Sequence, residues 1–159
     1  MGVNVLQDKL VYFDGPREGD QEWRSVLAAA LTGVGALPFD ASQYSPLDTQ
    51  KISEMRRDGG WDAVGDLVRP QLQFMLHMAA RSDGVIIYRG DGTADMGFAE
   101  IVGWESGKNR PVAYVGDMNN PKSMTNECWA YPGAMAPTIQ DGLDFLKDVF
   151  LDRLARGIR

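Results

Sequence analysis

The sequence predicts an α/β protein, a three-layer αβα sandwich in which helices cover both faces of a roughly five-stranded parallel sheet. Three observations predict it. Short apolar runs that read as buried strands alternate with stretches of helical periodicity, the pattern of a parallel sheet covered on both sides. The segment from Gly84 to Val115 reads strand, glycine-rich turn, helix, strand, which is a βαβ unit. The chain has 159 residues, enough for one domain with a sizeable core and too few for two, so residues 1–159 are read as a single domain.

Taken in order, residues 9–13 form an apolar run that stops at Asp14-Gly15-Pro16, a strand and its turn. Residues 20–31 place Trp23, Val26, Leu27, Ala30 and Leu31 at helical spacing, with Asp20 as the expected N-cap. Residues 35–39 read as a weaker strand broken by Pro38. Ser45-Pro46 opens a short helix through Arg57, since proline suits the first helical position, and Asp58-Gly59-Gly60 ends it. Residues 61–69 and 70–81 are two helical stretches, or one helix bent at Pro70, with Leu72, Met75, Leu76 and Ala79 on one face.

Residues 84–88 and 111–115 are the two buried strands of the βαβ unit. Between them Phe98, Ile101, Val102 and Trp104 mark the helix. Residues 127–131 read as a short fifth strand. Residues 138–154 read as a closing helix, apolar at Ile139, Leu143, Leu146, Val149, Phe150 and Leu154. With this strand count the expected arrangement is flavodoxin-like rather than a barrel, which needs more chain. In such sheets ligands meet the carboxyl ends of the strands. Three strands end there in acidic, glycine-bearing turns: Asp14-Gly15, Gly90-Asp91-Gly92 and Gly116-Asp117. Gly and Asp also make ordinary turns, so the turns alone do not fix a site.

Composition narrows the partners. A net charge of -6 offers no cationic track for a nucleic-acid polymer, whereas one local arginine suffices for a small anionic ligand. The single Cys128 excludes an intramolecular disulfide, and the lone His77 cannot build a histidine metal cluster. No apolar run approaches membrane-spanning length, and residues 1–10 lack the basic flank and apolar core of a signal peptide. A reducing, cytoplasmic setting is expected, with no membrane partner. The glycine-rich turn lacks the Gly-Lys-Ser/Thr of a phosphate-binding loop and the full dinucleotide fingerprint, so no nucleotide cofactor is implied.

Four stretches together resemble the nucleoside 2-deoxyribosyltransferase superfamily, which includes deoxynucleoside monophosphate N-glycosidases. They are Val11-Tyr12-Phe13-Asp14-Gly15-Pro16-Arg17 with Trp23 after it, Ala80-Arg81-Ser82-Asp83-Gly84-Val85-Ile86-Ile87, Gly92-Thr93-Ala94-Asp95-Met96-Gly97-Phe98-Ala99, and Gly107-Lys108 with Pro111-Val112. The third is the most specific. The resemblance implies a flavodoxin-like fold and attack by a carboxylate on the anomeric carbon of a 2'-deoxynucleoside or its monophosphate, the sugar then passing to another base or to water.

Carried over by position, Asp95 stands where the family has its glutamate nucleophile, one methylene shorter. Tyr12 matches a tyrosine that touches the sugar and the nucleophile. Asp14, Gly15 and Arg17 fall in the turn that cradles the sugar or 5' end, and Gly92 in the glycine-rich turn. Met75 occupies the place of a helix aspartate that assists the base, so that role is missing or falls to Asp91 or Glu100. Lys122-Ser123-Met124 resembles a loop donated by a neighbouring subunit, with Ser123 or Asn120 as candidates. The resemblance therefore implies a homodimer or higher homo-oligomer with shared sites, no cofactor, and a small deoxynucleoside or deoxynucleotide as substrate.

The chemistry suits the residues. N-glycosidic cleavage develops positive charge on the sugar, which a close carboxylate stabilises and can trap. A helix N-terminus favours the anionic form, as the predicted setting of Asp95 would. Plainer readings stand beside these. Asp95 could simply complement its helix dipole, Tyr12 could be a core aromatic, Asp14 could shape its own turn, and Arg17 could be a solvated cation. An acidic strand edge that binds a metal through Asp14, Asp91 and Asp117 is a further class of reading.

Overall fold

Five parallel strands form one sheet in the order β2-β1-β3-β4-β5. They are β1 (Leu10–Asp14), β2 (Leu37–Asp40), β3 (Gly84–Gly90), β4 (Val112–Gly116) and β5 (Ala134–Ala136). The computed structural model describes residues 3–16, 19–44, 49–90, 110–120 and 134–158. Three α-helices lie among them: α1 (Glu22–Gly33), α2 (Thr49–Arg81) and α3 (Ile139–Ala155). A short 3-10 helix, Ala41–Tyr44, follows β2.

Alternation along the strands sorts side chains into two cores. Val11 and Phe13 of β1, Ile86 of β3 and Ala113 and Val115 of β4 face α1 and α3. There they meet Trp23, Leu27 and Leu31 of α1 and Leu143, Leu146 and Phe150 of α3. Tyr12, Val85, Ile87, Val112 and Tyr114 face the other way, onto Met75 and Ala79 of α2. Helices thus cover both faces, and the architecture is the flavodoxin-like α/β sandwich. The central strands β3 and β4 read as continuous Val/Ile/Ala/Tyr runs because both of their faces are buried.

Local chemistry sets the helix ends. Thr138 caps α3 in a capping box with Asp141, satisfying amide donors at both positions. At α1 the N-cap position is Gln21 rather than Asp20. Asp20 still serves, its Oδ1 accepting from the Glu22 N–H at 2.9 Å. Gly60, at φ 71 and ψ -170, interrupts α2, a backbone conformation reserved for glycine. Pro70 lies inside the helix that follows, so residues 61–81 run as one helix. The fifth described strand is Ala134–Ala136, three small or flexible residues paired with β4. Residues 127–131, read from the sequence as that strand, and the helix carrying Phe98 to Trp104 lie outside the described residues.

No helix of the described residues is long and apolar enough to cross a membrane.

Candidate functional site at the carboxyl edge

The strand order reverses between β1 and β3, the switch point at which open α/β sheets receive ligands. β1 delivers Asp14, Gly15 and Pro16 to this edge, and all three are buried. Beside them β2 ends in Asp40, and β3 runs on through the buried Arg89 to Gly90, the residue that leads into Asp91 and Gly92.

One cation organises the β1–β2 end. Arg24, 8% exposed on the first turn of α1, donates from Nη1 to Asp40 Oδ1 at 2.7 Å. Its Nη2 donates to the carbonyl oxygens of Gly15 and Pro16, each at 3.0 Å, and lies 3.7 Å from Asp14 Oδ1. Its Nε donates to Gln21 Oε1 at 2.8 Å. The guanidinium also lies over the Trp23 ring, 4.3 Å from its centroid, and Trp23 stacks on Tyr88 of β3 at 4.4 Å. A buried charge is tolerated only when paired and hydrogen-bonded, and here the carboxylates of Asp14 and Asp40 and two main-chain carbonyls meet that need.

Gly15 is required by space. A Cβ there would come within 2.9 Å of the Tyr88 carbonyl oxygen and closer still to the Trp23 ring. Asp14 Oδ1 accepts from the Gly15 N–H at 2.8 Å, so this carboxylate shapes its own turn as well as facing Arg24. A cleft of about 230 Å³ opens beside Asp40, lined by Phe13, Ala28, Pro38, Phe39, Asp40 and Gln43. It lies on the β2 side of this end rather than at the β1–β3 junction.

Among the residues singled out from sequence, Tyr12 is wholly buried, stacked on Phe39 at 5.7 Å, in the same cluster as Met75. Met75, which the resemblance sets in the place of a helix aspartate, is 1% exposed, in an apolar cluster with Ala79. His77 is exposed, on a different face from Met75. Asn120 closes the turn after β4, its N–H donating to the Asp117 carbonyl at 3.1 Å, at the same edge but two strands away from β1. Asp95, Asp91, Gly92, Arg17, Ser123, Glu100 and Cys128 lie outside the described residues. Among the described residues no group of three or more His, Cys, Asp or Glu side chains is placed to hold a metal ion.

Arg24 and Asp40 were not singled out from sequence. A signal for Arg24 was available: it stands three residues before Leu27 and seven before Leu31, on the buried stripe of α1. A cation on such a stripe must find buried partners.

Comparison with protein-family models and with curated proteins gave no match for this chain.

Proposed function

We propose that this protein cleaves or transfers at the N-glycosidic bond of a 2'-deoxynucleoside or deoxynucleoside monophosphate, with Asp95 as the carboxylate nucleophile. The observation that carries the reading is the placement of Tyr12 and Asp14 on β1 beside β3, with Gly15 in the turn that follows, at the switch point of a flavodoxin-like sheet. These are positions the family resemblance assigns to the sugar. The strand next to them is the one that leads covalently into the Gly92–Ala99 motif.

In this reading the turn after β1 cradles the sugar or 5' end, and Tyr12 backs it from the α2 side. Asp95 attacks C1', the base departs, and a second base or water then takes the sugar from the enzyme. Arg17 supplies a charge-assisted fork for a 5'-phosphate, and Asp91 or Glu100 assists the leaving base. A neighbouring subunit contributes Ser123 or Asn120.

Asp95→Asn is expected to lower release of free base from a panel of 2'-deoxynucleosides and their monophosphates by on the order of a thousandfold or more. Wild-type rates in that variant would overturn the assignment.

The burial of Met75 favours a second reading, a module that binds the deoxynucleotide without turning it over. Thermal stabilisation by deoxynucleotides, with no base released by the wild-type protein, separates it from the first.

A further inference from the structure

Arg24 holds two different things at once. One arm of its fork ends on the carboxylate at the end of β2, the other on the main chain of the turn after β1. An ion pair serving stability alone needs only the first. Gln21 fixes the third donor, Nε, which sets the plane of the guanidinium and so the direction of both arms. The acceptors suit this grip. Residue 16 is proline, so the peptide joining Gly15 to Pro16 has no N–H, and its carbonyl is the one polar group requiring a partner. The absence of a side chain at Gly15 lets that peptide sit between the Trp23 ring and the Tyr88 carbonyl.

We infer that Arg24 is a positioning residue for the ligand site, fixing the main chain of the Asp14–Pro16 turn from below so that the turn presents one geometry to a deoxyribose or its 5' end. The inference rests on the proposed function for its ligand, but not for its mechanical content. Arg24 is 8% exposed and acts through the turn, not by touching the ligand. Lysine keeps the charge but not the fork. One ammonium cannot hold Asp40 and both carbonyls in a fixed plane.

The test compares wild type with Arg24→Lys in the whole protein. Base release from deoxynucleoside monophosphates is followed to obtain KM and kcat separately, and hydrogen exchange of the Gly15 amide is measured without ligand. Arg24→Lys is expected to raise KM about tenfold with kcat changed by less than about threefold, the pattern of weakened uniform binding. Gly15 exchange is expected to quicken about tenfold or more as the turn opens locally. Asp40→Asn, which loosens the tether while keeping the guanidinium, should move both readouts the same way by less, and it substitutes if Arg24→Lys does not fold. A wild type that releases no base defeats the glycosidic reading but not this one. The dissociation constant for deoxynucleoside monophosphate then replaces KM, and Gly15 exchange decides alone if nothing binds. Unchanged Gly15 exchange in folded Arg24→Lys, or a KM within about twofold of wild type in an active protein, overturns the inference.

Discussion

The two ends of the sheet use the same kinds of residue to opposite purpose. At the amino end Asp83, just before β3, accepts from the Leu10 N–H at 2.8 Å and donates its own N–H to the Leu10 carbonyl at 2.8 Å. Lys9 lies 3.6 Å from that carboxylate, and both side chains are 38% exposed. This is a wet staple that sets the register of β1 against β3. At the carboxyl end one arginine meets two aspartates, with all three side chains at most 10% exposed. Here charge has been taken out of water, at a desolvation cost that a staple would not require. The amino end is thus held by a part-exposed pair that water screens, the carboxyl end by a buried one that depends on its partners.

The comparison breaks most sharply at Arg24. Arg24→Met removes the buried cation that pairs with Asp40 at 2.7 Å and should cost about 3–5 kcal/mol in chemical denaturation. A loss under about 1 kcal/mol would mean that the carboxyl end behaves like the amino end. Asp83→Ala deprives the part-buried Leu10 N–H of its acceptor and should cost about 1–2 kcal/mol, measured the same way. Lys9→Ala removes only an exposed ion pair and a cation lying 5.5 Å from the Phe150 ring centroid. Its cost should stay below about 1 kcal/mol and shrink further in salt.

The smallest effect is expected away from both ends, at Asp144 on the exposed side of α3. Hydrogen bonds from Lys147, then Gln140, hold its carboxyl below the ordinary value of 3.8. A lowered folded-state pKa contributes stability above the ordinary value and loses it as pH falls through the folded one. Melting temperatures of wild type and Asp144→Asn should therefore differ slightly at neutral pH and converge as pH drops below 3.8. A gap that persists in acid would show that the contribution is not electrostatic.

How much of this was legible in the sequence depends on where each residue's partners lie. β1, β3 and β4 announce themselves through Val, Ile, Tyr and Phe, because burial on both faces selects those side chains locally. The break at Gly60 was readable from Asp58-Gly59-Gly60. At Pro70 two readings stood, two helices or one bent helix, and the structure has one, since a helix can carry proline when its neighbours hold it in place. β5 is a strand because β4 pairs with it. Nothing in Ala134-Met135-Ala136 says so. On the α1 and α2 faces periodicity gave Leu27, Leu31, Met75 and Ala79 correctly, but Val26 and Leu76 are exposed among the described residues. At the carboxyl end Asp14 and Gly15 were legible as a turn. The Arg24–Asp40 contact joins α1 to β2 across 16 residues and needs the folded sheet to exist.

Placing the first strand in the interior of the sheet also has a kinetic consequence. β1 is synthesised before both of its neighbours, and β2 can close one of its edges first. Its other edge waits for β3, whose start lies 73 residues further on at the Leu10–Asp83 contact. Closing so long a loop is slow relative to local pairing, and a nascent chain carries an open hydrogen-bonding edge on Val11, Tyr12 and Phe13 until then.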